Sequence, residues 1–71
     1  MEITIVDNAG KRWEVYASTG DKISDILKKA SDQGAKMPRE YTKVKIIGGY
    51  AELSEEWNPK WTQIDVRVRQ T

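Results

Sequence analysis

The adjacent carboxylates Glu55-Glu56 are the one pair in this chain whose spacing could serve acid–base work. They fall between Ser54 and Trp57, in a stretch that reads as a capped turn rather than the wall of a pocket. The other usual chemistry is missing: with no cysteine and no histidine there is no thiolate nucleophile, imidazole base, zinc site or disulfide. No glycine-rich loop followed by Lys-Ser/Thr is present to cradle a phosphate. The expectation is a protein that is not an enzyme and takes no cofactor or metal. What the side chains offer instead is charge and aromatic area, and therefore binding.

The elements that would carry those groups follow from periodicity. Ile3 and Ile5 alternate with Thr4, and Trp13, Val15 and Ala17 alternate with Arg12, Glu14 and Tyr16. The cluster Asp7-Asn8-Ala9-Gly10 between them predicts a β-hairpin. Ile23, Ile26, Leu27 and Ala30 then fall on one helical stripe. Asp21 is the expected N-cap and Gly34 the left-handed C-terminal stop, giving a helix of about thirteen residues. A strand is predicted over 43–47, broken by Gly48-Gly49, and a short one over 50–53. A capped helical turn is predicted over 53–59, ended by Pro59. The last strand sets Ile64, Val66 and Val68 inward and Asp65, Arg67 and Arg69 outward. Trp13 and Trp57 read as core, and Trp61 as the exposed tryptophan.

Seventy-one residues allow one domain, expected over 1–71, with a small core and a net stability of roughly 4–10 kcal/mol. The first apolar run, 3–6, is too short for a secretory signal or a membrane span. The lack of cysteine in so small a chain points to a cytoplasmic location.

The order hairpin, helix, strand, short irregular piece, strand resembles the ubiquitin-like β-grasp family over nearly the whole chain. The opening Met1-x-Ile3-x-Ile5, Gly10-Lys11 after the turn, Asp21-Lys22-Ile23 at the helix start and Val44-Lys45-Ile46-Ile47-Gly48 are similar to the family's segments. So are Gly34 to Pro38, with two residues inserted, and Leu53-Ser54-Glu55-Glu56-Trp57-Asn58, with one. The resemblance implies an α+β β-grasp fold, with a four- to five-stranded mixed sheet and one helix packed across one face. Two departures limit what it implies for function. The chain closes on Arg69-Gln70-Thr71 where the family's conjugated members carry a Gly-Gly tail, so conjugation and sulfur transfer are not expected unless the native chain continues past Thr71. The family's apolar receptor patch is matched by Asn8, Lys45 and Arg67, so ordinary ubiquitin receptors are not expected to bind.

With the helix on one face, the other sheet face should expose Arg12, Lys43, Lys45, Arg67 and Arg69 against Glu14 and Asp65. That is a local charge of +3 on a chain of net +1. Tyr16, Thr4, Val6 and Ile47 add contact area, and Trp61 adds an aromatic anchor. The expected function is a non-conjugating protein-interaction module: an adaptor, an assembly subunit or a small inhibitor of viral or mobile-element type. Its partner would be a protein with an acidic surface, gripped through Arg12, Tyr16, Lys43, Lys45, Arg67, Arg69 and Trp61. The protein itself is expected to be a monomer without membrane contact. The alternative is nucleic-acid binding by the same face, with five phosphate contacts giving a log–log salt slope of about −4.5. A third possibility is that these cations only keep the sheet soluble and its edges unpaired.

Overall fold

The computed structural model describes residues 1–68. Alternation does produce strands here: β1 (Glu2–Val6) and β2 (Arg12–Tyr16) pair antiparallel, Ile3 opposite Val15 and Ile5 opposite Trp13. Their connection, residues 7–11, turns where the Gly10 amide donates to the Asp7 carbonyl, with Gly10 at φ 83°. A left-handed glycine at that place lets the ladder resume in register.

The helix α1 (Ile23–Gln33) buries Ile23, Ile26, Leu27 and Ala30, the expected stripe. It ends at Gly34, φ 116°, where the Gly34 and Ala35 amides donate to the Ser31 and Ala30 carbonyls. Its start differs from expectation. Asp21 is not the N-cap: its carboxylate accepts the Ser18 N–H, and the helix begins after Lys22, whose N–H donates to the Asp25 carboxylate. The free amides of the first turn are met by distant backbone, Ile23 donating to the Glu55 carbonyl and Ser24 to that of Leu53. This is why the helix is eleven residues long.

The segment that provides those carbonyls was expected to be a helical turn, and it is not. The Glu55 N–H closes a turn onto the Glu52 carbonyl, Glu56 forms an isolated bridge with Lys22, and the Trp57 N–H donates to the Asp21 carbonyl. Serving the helix terminus draws this backbone out of a helix of its own.

β3 (Lys43–Ile46) and β4 (Gly49–Glu52) form a second hairpin, and β5 (Gln63–Asp65) inserts between the two hairpins. The five-stranded mixed sheet runs β2-β1-β5-β3-β4, with β1 and β5 parallel and every other pair antiparallel. β5 is shorter than the expected 64–69. After Asp65 its own carboxylate accepts the Arg67 N–H, and the Val68 N–H turns back to the Val66 carbonyl, so regular pairing stops. Arg69 lies outside the described residues.

The inner sheet face and the helix enclose Ile3, Ile5, Val15, Val44, Ala51, Ile64 and Val66, with Trp57 closing one end. Trp13, Ile46 and Trp61 are half-buried against this core, so Trp61 is not the free-standing tryptophan expected. The expected inward residue Val68 is also only half-buried. Val6 is buried but is not part of that core cluster. Among the described residues no helix is long and apolar enough to cross a membrane.

Candidate interaction surface

Register determines what the outer sheet face presents. Arg12, Val6, Asp65, Lys45 and Tyr50 stand in one row across all five strands. Beside it run Glu14, Thr4 and Gln63 in a second row, then Tyr16 with Glu2 at one edge and Lys43 with Glu52 at the other. Val6 stands between Arg12 and Asp65 in this row and is buried, although it shares the face turned away from the helix.

This face does not carry the expected +3. Glu2 and Glu52 share it, which leaves Arg12, Lys43, Lys45 and Arg67 balanced by Glu2, Glu14, Glu52 and Asp65 among the described residues. The charges also engage each other. Arg67 grips Asp65 through two bonds, Nε to Oδ1 at 3.1 Å and Nη2 to Oδ2 at 2.9 Å. Partial burial pushes the Asp65 carboxyl up, but these bonds, the Arg67 charge and the nearby Lys45 outweigh it and hold the group below its ordinary value. The bond to Asp65 raises Arg67 in turn. Thr4 Oγ1 donates to the Glu14 carboxylate at 3.2 Å, Arg12 reaches Gln63 Oε1 at 3.4 Å, and Lys43 Nζ lies 5.0 Å from the centre of the Tyr50 ring. Among the described residues, then, this face carries as many anions as cations, whereas phosphate binding draws on a net positive one.

Apolar groups also stand uncovered among these charges. The large hydrophobic side chains standing exposed among the described residues are Met1, Tyr16, Ile47 at 76% and Tyr50 at 60%. Ile47 and Gly48 form the two-residue β3–β4 turn, with only Gly48 at positive φ (82°), which throws the Ile47 side chain outward. β3 meets β5 at a single pair, Lys45 with Asp65, and beyond it the strands part. A cleft of about 340 Å³ opens there, lined by Lys45, Ile46, Ile47, Thr62, Gln63 and Asp65. A second hollow of about 270 Å³ lies at the far end beside Met1, Tyr16, Trp57 and Pro59.

Of the residues expected to act together, Lys43, Lys45 and Arg67 gather around β3 and β5, while Arg12 and Tyr16 lie on the far edge strand. Trp61 packs against the core instead of joining them. Tyr50 was missed. The signal for it was its place across the Ile47-Gly48 turn from Lys45, which puts it on the same face. Among the described residues no group of three His, Cys, Asp or Glu side chains could hold a metal ion. Comparison with family models, with curated proteins and with solved structures finds no match to this chain.

Proposed function

We propose that this chain is a non-conjugating β-grasp domain of the ubiquitin-like kind that works by binding another protein through its outer sheet face. Support for the fold reading comes from the strand order, with the last strand parallel to the first at the centre and one helix across one face. The observation that carries the function is the exposure of Ile47, which lines the β3–β5 cleft, and of Tyr50, which stands opposite Lys45 on the edge strand β4. Covering about 200 Å² of such surface contributes roughly 5 kcal/mol before the costs of association. Tyrosine is enriched at interface centres, and the mutually paired charges around it suit a polar rim. The partner chemistry is accordingly an apolar contact with mixed charge at its margin, rather than a purely acidic surface.

The test is affinity capture from the native host with the wild type, Ile47→Ser/Tyr50→Ser and Arg67→Ala. A stoichiometric protein held by the wild type and Arg67→Ala but lost by the double variant is the expected result. Equal capture by all three places the interface elsewhere. A shift of labelled DNA or RNA at low salt would favour the nucleic-acid reading instead.

A further inference from the structure

The two edges of the sheet are finished differently. In an antiparallel pair, hydrogen-bonded and non-bonded positions alternate, so one bond fixes the direction of every peptide group on the strand. On β2 the Asp7-to-Lys11 and Ala17-to-Met1 bonds leave Arg12, Glu14 and Tyr16 with their peptide groups facing outward. The helix occupies that edge: Gln33 Nε2 donates to the Glu14 carbonyl at 3.1 Å and Lys29 Nζ to that of Tyr16 at 2.9 Å. A second copy laid antiparallel about Glu14 would also set two carboxylates opposite each other. β2 is a closed edge.

On β4 the Leu53-to-Thr42 bond makes Val44–Ala51 and Ile46–Gly49 the bonded pairs. Tyr50 and Glu52 therefore turn their peptide groups away from the sheet. No helix side chain reaches them. The guard here is Glu55 at both ends of one peptide contact: its carboxylate Oε2 accepts the Glu52 N–H at 2.6 Å, and its own N–H donates to the Glu52 carbonyl at 3.1 Å. We infer that β4 pairs antiparallel with β4 of a second copy about a two-fold axis at Ala51, and that Glu55 limits this pairing.

The geometry is self-complementary. Tyr50 of each copy lies opposite Glu52 of the other, and the two pairs exchange four backbone bonds once Glu55 releases the Glu52 N–H and yields or shares the Glu52 carbonyl. On the outer face the row becomes Lys45, Tyr50, then Glu52 and Lys43 of the second copy, so no like charges stand directly opposite each other. On the inner face Ala51 meets Ala51, small enough for close approach. The seam is only a few residues wide, far below the area of a stable interface, and both Glu55 contacts must be given up to form it. The protein is thus monomeric at micromolar concentration, with a dimer Kd on the order of 1 mM. This pairing requires no other protein partner.

Sedimentation equilibrium and concentration-dependent amide shifts, from about 20 µM to about 2 mM, test it. Wild type is expected to shift at Tyr50 and Glu52 as concentration rises. Glu55→Ala should tighten the dimer at least about tenfold. Tyr50→Pro removes an N–H that no ladder bond uses, so it should fold and stay monomeric. A Glu55→Ala protein that remains monomeric throughout, or a dimer that survives in Tyr50→Pro, overturns the inference. So does a photo-crosslinker at Tyr50 that forms no crosslinked dimer in the purified protein at about 2 mM.

Discussion

The Asp7 carboxylate accepts the indole N–H of Trp13 at 2.9 Å, and the same oxygen accepts the Lys36 N–H at 3.1 Å. Its other oxygen takes the Ala9 and Lys11 amides. One buried acid thus ties the first hairpin turn, the ring that packs beneath the helix end, and the chain leaving the helix. Asp7→Asn keeps the size but turns one acceptor into a donor facing donors. Its Tm should fall further than that of Asp21→Asn, whose carboxylate serves the exposed Ser18 turn. A smaller loss at Asp7 than at Asp21 would deny it this role.

Acid should expose the same group. Burial alone would raise the Asp7 carboxyl, but the Lys36, Trp13, Lys11 and Ala9 donors outweigh it and bring it from 3.8 down to about 2. A carboxyl depressed in the folded state contributes stability that is complete above its unfolded value and lost as pH falls through the folded one. Denaturant melts should therefore show stability declining from about pH 4 towards pH 2. In Asp7→Asn that decline should be much flatter, and an unchanged profile would assign the acid sensitivity to other groups.

Gly34 holds φ 116° at the helix end, and a Cβ there would stand 3.4 Å from the Trp13 ring. The space is ordinary contact, so the cost of Gly34→Ala is the backbone's. It is expected to be about 1–2 kcal/mol. For a chain of this size that lowers Tm by roughly 4–16 °C. A neutral result would mean that the helix ends one residue earlier in solution.

The Arg67–Asp65 pair looks strong by geometry and should matter little for stability. The two side chains are 51% and 18% exposed, and exposed pairs are screened and cost side-chain entropy. Arg67→Ala should change stability by less than about 1 kcal/mol, as chemical denaturation would show. A larger loss would mean that the guanidinium, which a Cβ on Gly10 would approach to 3.2 Å, braces the first hairpin turn.

The features legible in the sequence were those set by local period. Ile3, Ile5 and Val15 declared one sheet face, and Ile23, Ile26, Leu27 and Ala30 one helix stripe, because burial selects side chains every second or every third to fourth residue. Gly34 was legible because its conformation is a local requirement. The misses all depend on groups remote in the chain or on competition for one amide. Asp21 has the right type for a cap, but the carbonyls of Leu53 and Glu55 reach the helix amides first. Asp7 looked like a turn residue because the Lys36 amide that buries it lies 29 positions away. Alternation runs on past Asp65, yet that side chain takes the next strand amide for itself. The charge of the outer face was misjudged because Glu52 joins it only through register with Lys43, and because Glu2, though in period with Thr4, stands at the very start of the first strand.

Trp57 offers the sharpest check on the long-range cap. It is buried at the end of the core, its N–H holds the Asp21 carbonyl, and its indole donates to the Trp61 carbonyl at 2.9 Å. It therefore positions the loop whose carbonyls receive the first helix amides. Trp57→Ala should cost about 3–5 kcal/mol, much of the whole stability, and leave the chain largely unfolded. Trp57→Phe keeps most of the packing and drops one donor, for a loss of about 1 kcal/mol. Hydrogen exchange then separates the roles. In the wild type and Trp57→Phe the Ile23 and Ser24 amides should be protected nearly as well as the helix interior, although first-turn amides ordinarily exchange fast. Fast exchange at both positions in the wild type would show that the loop does not cap the helix.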